Sequence, residues 1–175
     1  MRSNQLSYPA NFEGANIVTF RRFKNKVKKT SIDPLKNLFL HKIPEPISMA
    51  KKPIELEYIL RTSDTILYNC MSNPSGLEEW FAPQVHIRGD VYTFIWEGEE
   101  RKAQLIAKKK EQMVRYQWLD ESDKDTNFFE LRIKIDEMTG ELALIVSDFA
   151  EEGEEDDQKM LWDEAVHELK RHIGG

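Results

Sequence analysis

The residues with the most reactive side chains are few, and their spacing is the first thing to test. His167-Glu168-Leu169-Lys170-Arg171-His172 approaches the helix of a zinc protease, in which two histidines four residues apart share one metal and a glutamate acts as base. Here the histidines are five apart, which at 100° per residue puts them about 140° apart around a helix. They cannot share a metal, and the stretch reads as a solvated face with His172 well placed near a helix C-terminus. Cys70 is the single cysteine; no sequence neighbour marks it as a thiolate, and on an apolar helical face it reads as a small core residue. His86 has no Ser or Asp in a recognisable motif and reads as structural or exposed. The acidic groups Glu97/Glu99/Glu100, Asp123/Asp125 and Glu151–Asp157 fall in expected turns and loops, where solvated charge is the simplest reading. No GxGxxG, GxxxxGK[ST], GxSxG, CxxC or EF-hand spacing occurs, so nucleotide cradles, nucleophile elbows, cysteine metal sites and calcium loops lose their usual support. No catalytic residue, metal or cofactor is expected.

Large rings stand out instead. Trp80 and Phe81 end a short helical stretch, Tyr92, Phe94 and Trp96 share one strand face, Tyr116 and Trp118 share another, and Phe149 and Trp162 lie nearer the C-terminus. Such rings form either a packed core or the wall of an apolar ligand site. Alternation with Arg115 and Gln117 turns Tyr116 and Trp118 inward. Both faces of 91–96 are apolar, so alternation does not choose between them.

The elements that must position these rings follow from periodicity. Ile54, Leu56, Tyr58 and Leu60 alternate with polar residues, predicting a strand over 54–62. Ser63 offers an N-cap to a helix carrying Ile66, Leu67, Cys70 and Met71, which Asn73-Pro74 stops. A second short helix is expected over 76–81. Strands are then expected at 84–88, 91–96, 101–109, 113–118, 127–136 and 141–149, with turns at Gly89-Asp90, Gly98 and Thr139-Gly140. Trp162, Ala165, Val166, Leu169 and Ile173 recur at helical spacing, predicting a long helix over 157–173 that Gly174 closes. The class is therefore α+β: a curved antiparallel sheet of about seven strands wrapped on one long C-terminal helix, with two short helices after strand 1. A helix lying across a curved sheet predicts a cavity between them.

Length and charge set the outer bounds. A chain of 175 residues accommodates one core of ordinary size. Residues 1–48 hold nine Lys/Arg and three acids, leaving 16 basic and 28 acidic residues in 49–175. The first segment also carries four of the seven prolines and no sustained apolar period, the composition of a basic, disordered extension. Three readings of 1–48 are weighed: a basic arm for nucleic acid built on Arg21–Lys29, a solvated tail, and a mis-assigned start with translation beginning at Met49. The third is preferred, and an organelle transit peptide has weaker support because serine is sparse. The domain proper is 49–175. No apolar run approaches the roughly 20 residues of a membrane span, the first 30 residues hold no apolar signal core, and Asn73-Pro74-Ser75 has proline where a glycan acceptor forbids it. With a single cysteine, these features point to a cytoplasmic protein.

The Asn73-Pro74-Ser75-Gly76-Leu77-Glu78-Glu79-Trp80-Phe81 stretch, the Phe94-Ile95-Trp96-Glu97-Gly98 turn, and Asp148-Phe149-Ala150 followed by an acidic loop and Leu161-Trp162 together resemble the START-like (SRPBCC, helix-grip) superfamily. Within it they look most like the bacterial branch related to the activator of the heat-shock chaperone ATPase (AHSA-type). The likeness covers about 54–173. It implies a helix-grip fold whose long helix closes a cavity used for lipids, polyketides, hormones or other apolar molecules, and it implies no reaction. Relatives often have Gly before the helix tryptophan, where this chain has Leu161, a bulkier residue that narrows the entrance. The leading expectation is a non-enzymatic module holding a small apolar molecule or lipid, with Trp80, Phe81, Trp96, Tyr116, Trp118, Phe149, Trp162 and Val166 as candidate lining. The alternative is a co-chaperone-like protein-interaction domain whose acidic surface meets a basic partner. A cyclase- or hydrolase-like enzyme ranks third, with Arg88, Arg115 and His86 its weak candidates. Nucleic acid enters only through 1–48.

Overall fold

A computed structural model of the chain describes residues 51–120 and 125–174. The 1–48 extension, with the nucleic-acid arm and start-site readings attached to it, lies outside the described residues. The elements run β1 (Lys51–Leu60), α1 (Asp64–Ser72), α2 (Pro74–Glu78), β2 (Gln84–Arg88), β3 (Val91–Trp96), β4 (Glu99–Lys109), β5 (Met113–Trp118), β6 (Phe128–Ile135), β7 (Leu142–Glu151) and α3 (Glu155–Ile173).

The strands form one antiparallel sheet in the order β1-β7-β6-β5-β4-β3-β2. The six consecutive strands β2 to β7 form a meander, and β1 is added at its far edge by pairing with β7 from Lys51↔Glu151 to Leu60↔Leu142. That pairing explains why β1 begins three residues earlier than periodicity suggests and ends two residues sooner. A register shift between Leu105 and Ala107 interrupts the β4/β5 ladder, a bulge of the kind that bends a sheet. The result is the helix-grip architecture: one open antiparallel sheet, one long helix, and two short helices after the first strand.

Local chemistry sets the helix ends. Ser63 Oγ accepts the Ile66 amide at 3.2 Å, capping α1. Pro74 opens α2, where its missing N–H and fixed φ cost nothing. This helix ends at Glu78, so Trp80 and Phe81 lie beyond it and not inside it. Helix α3 starts two residues earlier than expected, because Glu155, Asp156 and Asp157 all fit the first turn. Gly174 ends it in the left-handed conformation at φ 80°, its amide bonded to the Lys170 carbonyl.

The register also settles which face of β3 turns inward: Tyr92, Phe94 and Trp96 are buried and Val91, Thr93 and Ile95 are half-buried. Leu161, Trp162, Ala165, Val166 and Leu169 bury the inner stripe of α3, each large side chain contributing about 1.5–3 kcal/mol of transfer free energy. The run Leu142–Val146 is buried on both faces of β7, which explains its unbroken apolar sequence.

Candidate functional site

The aromatic side chains are best understood from the backbone they serve. Helix α1 ends inside the protein, and the last four carbonyls of any helix lack partners within it. Asn69 O accepts the Asn73 amide at 3.1 Å. The other three are reached from other elements: Trp80 Nε1 donates to Cys70 O at 3.0 Å, Tyr116 Oη to Met71 O at 2.9 Å, and Tyr92 Oη to Ser72 O at 3.0 Å. Trp96 Nε1 likewise donates to Phe81 O at 3.0 Å. Helix α2 sits directly against this end, for a Cβ on Gly76 would lie 2.4 Å from Asn69 O and 2.7 Å from Cys70 Cα. Glu78 Oε1 then accepts the Val85 amide at 2.8 Å, setting the entry into β2.

Around these bonds the rings pack on one another. Phe81 is the hub, with centroids 4.9 Å from Phe94, 5.3 Å from Phe129, 5.6 Å from Trp80, 5.8 Å from Trp162 and 5.9 Å from Trp96. Phe129 also meets Tyr116 and Trp118, each at 5.1 Å. These are the distances of aromatic pairs in direct contact. Trp118 is 8% exposed, and the Arg101 guanidinium covers its ring at 3.9 Å while pairing with Asp120.

Helix α3 is fastened to the sheet by a buried carboxylate. Asp148 Oδ2 accepts Trp162 Nε1 at 2.8 Å and Gln158 Nε2 at 2.5 Å. Tyr58 Oη donates to Asp163 at 2.8 Å near the edge of the same helix, and burial together with that carboxylate raises the Tyr58 pKa far above the ordinary phenol value. On the opposite face of the sheet, Glu130 is buried between Arg115 and Arg132. Burial alone would raise its pKa, but hydrogen bonds from the two guanidinium groups and their charge outweigh it and hold it below the usual range.

A separate groove of about 320 Å³ opens between α1, α2 and the end of α3, with Ile66, Asn69, Cys70, Asn73, Glu79 and His172 among its walls. His172 Nδ1 stands 3.3 Å from Glu79 Oε2. Burial, and secondarily the Glu79 charge, pushes the Cys70 thiol up, which disfavours the nucleophilic thiolate. Among the described residues no three His, Cys, Asp or Glu side chains are grouped to hold a metal ion.

A profile for a START-like superfamily domain matches residues 48–175. The chain belongs to the START-like superfamily. Its relatives include BfR322 of Bacteroides fragilis, a solution structure 40% identical over 71% of this chain and 92% of that one, with TM-score 0.53. The Aha1 dimer of Colwellia psychrerythraea is 12% identical over 70% and 96%, with TM-score 0.56. An uncharacterised protein of Bacillus thuringiensis is 14% identical over 72% and 100%, with TM-score 0.55. The last two likenesses are of fold. No functionally curated protein matches the chain.

In this START-like domain, Trp80, Phe81, Trp96, Tyr116, Trp118 and Trp162 are brought together in one buried cluster. Val166 is 1% exposed on the same stripe of α3. Phe149 is not part of it. Since Asp148 points to α3, alternation turns Phe149 to the outer face, where it meets Phe128 at 5.0 Å. Phe94 and Phe129 belong to the cluster although neither was among the candidate lining, and the inward alternation of β6 would have found Phe129. Of the weak enzyme candidates, His86 and Arg88 are exposed on the edge strand β2 and Arg115 pairs with Glu130 on the outer face. Asn73, in sequence a helix stop, and Glu79, in sequence part of the second short helix, line the groove with His172 from the far end of the chain. No sequence signal joins those positions.

Proposed function

We propose that this START-like domain is a protein-interaction module that recruits a basic partner through its acidic surface. One observation carries the reading. The interior rings contact one another, and the indole and phenol groups of Trp80, Tyr92, Trp96, Tyr116 and Trp162 are engaged by carbonyls or by Asp148, so recognition falls to the surface. That surface carries the excess of 28 acids over 16 bases in 49–175, including exposed Glu152, Glu154 and Asp156 where β7 gives way to α3. Such a field steers a cationic partner and is screened by salt. The test is affinity capture by the full chain from its source at 50 and 300 mM NaCl, repeated with Glu154→Lys/Asp156→Lys. At least tenfold less capture of one partner at high salt, and a matching loss with the charge reversal, are expected. Salt-independent capture by both proteins would overturn the proposal.

A second reading keeps the small apolar molecule or lipid between α3 and the sheet. It is favoured by the apolar stripe of Leu161, Trp162, Ala165, Val166 and Leu169 that α3 buries. Extra non-covalent mass in a native spectrum, lost on Trp118→Ala or Trp162→Ala, would support it.

A further inference from the structure

Tyr68 and Ser72 lie four residues apart on α1, hence on one face of the helix, and are only 6% and 2% exposed. Among the described residues their hydroxyl oxygens are fully buried and make no hydrogen bond. Buried polar side chains in native proteins are nearly always paired, with protein or with an ordered guest. The neighbours of these two define what the guest can be. Tyr92 Oη and Tyr116 Oη donate to Ser72 O and Met71 O at 3.0 and 2.9 Å; each thereby uses its one hydrogen and keeps free lone pairs. Tyr92 and Tyr116 stand side by side, their ring centroids 5.0 Å apart, and burial is the largest cause raising the pKa of both.

We propose that Tyr68 and Ser72, backed by Tyr92 and Tyr116, form a buried site beneath α1 for one neutral hydroxyl group. The site can give two hydrogens, from Tyr68 and Ser72, and it offers lone pairs on four oxygens. A group that both donates and accepts fits this set, whereas a bare carbonyl would leave the acceptors unused. Charge is disfavoured in either sign. Phenols whose burial already resists ionisation make a poor environment for an anion, and the Lys108 amino group 5.8 Å above the Tyr68 ring opposes a second cation. The hydroxyl comes either from an ordered water or from the alcohol group of an apolar compound. Both meet the same atoms.

The test turns on a sign. Tyr68→Phe and Ser72→Ala remove one oxygen each and leave the packing shape intact, so both variants fold. If the hydroxyls are orphans, removing either relieves a desolvation penalty and the melting temperature of the full chain rises. If they hold a guest, each single variant melts a few degrees lower, and the double variant melts higher than the two losses summed predict, because both losses belong to one site. Water-to-ring NOEs on Tyr68 identify the source. A long-lived water signal, absent in Tyr68→Phe, assigns water; added mass in the native spectrum of the parent, absent in Tyr68→Phe, assigns an alcohol. A melting temperature at or above the parent's in both single variants overturns the proposal. The charge reversal that tests partner capture leaves these measurements unchanged.

Discussion

Gly76→Ala sets two well-calibrated effects against each other. In a helix, alanine is favoured over glycine by up to about 1 kcal/mol, and Gly76 has ordinary negative φ, so propensity alone predicts a more stable protein. The structure predicts the reverse. The new Cβ would sit 2.4 Å from Asn69 O and 2.7 Å from Cys70 Cα, both backbone atoms, whereas ordinary contact begins near 3.4 Å. Helix α2 must therefore withdraw from α1 by about 1 Å, the difference between 3.4 and 2.4 Å. That movement carries Trp80 away from Cys70 O and Asn73 away from Asn69 O, hydrogen bonds now 3.0 and 3.1 Å long. Losing or stretching two such bonds costs about 1 kcal/mol each, and overpacking adds about 1–3 kcal/mol. Set against the propensity gain, the net loss is about 2–4 kcal/mol, or roughly 6–20 °C in a domain of this size. Thermal unfolding followed by far-UV circular dichroism measures it. Gly153→Ala is the control: with φ of +88° and nothing within 4 Å, it carries backbone strain of about 1–2 kcal/mol and no clash. A Gly76→Ala protein that melts at or above the parent would refute the claim that α2 is seated on the end of α1.

Other outcomes are as definite. Glu130→Gln should cost about 1–3 kcal/mol at pH 7, since it strips the charge from a buried carboxylate held by two arginines. Because the folded pKa is depressed, that stabilisation is present above the ordinary value of 4.5 and lost as pH falls through the folded one; urea titrations from pH 7 to pH 3 should show the parent and variant converging, and a constant gap would disprove the linkage. Trp162→Phe keeps a ring but removes the 2.8 Å bond to Asp148, so urea unfolding should show a loss of about 1–3 kcal/mol. Tyr116→Phe should also destabilise, by about 1–2 kcal/mol as measured by calorimetry, because it orphans Met71 O.

Periodicity sufficed for the strand count, the long helix and the α+β class, because alternation and helical spacing are local properties of Phe129–Ile135 or Trp162–Ile173. It could not orient β3, whose Val91, Thr93 and Ile95 look as fit for burial as Tyr92, Phe94 and Trp96 until pairing with β4 chooses. Phe149 was misplaced for a related reason. β7 is apolar on both faces, and the polar residue that turns inward, Asp148, does so only because Trp162 and Gln158 wait for it on α3. The meaning of Gly76 was hidden too, since a close approach between backbones leaves no trace in composition. Where the aromatic residues would gather was legible; that their N–H and O–H groups would serve the end of a helix was not.

That service has a dynamic consequence. The end of α1 is closed by residues 10, 20 and 45 positions away in sequence, drawn from the segment after α2 and from β3 and β5. An ordinary helix terminus frays alone, at almost no free-energy cost. Here the last turn cannot open unless two strands and a tryptophan release it together. Amide hydrogens in that turn should therefore exchange only through global unfolding, as slowly as those of the central strands, while the last turn of α3 exchanges by local opening. A nine-residue helix, too short to persist alone, becomes one of the last parts of the domain to yield.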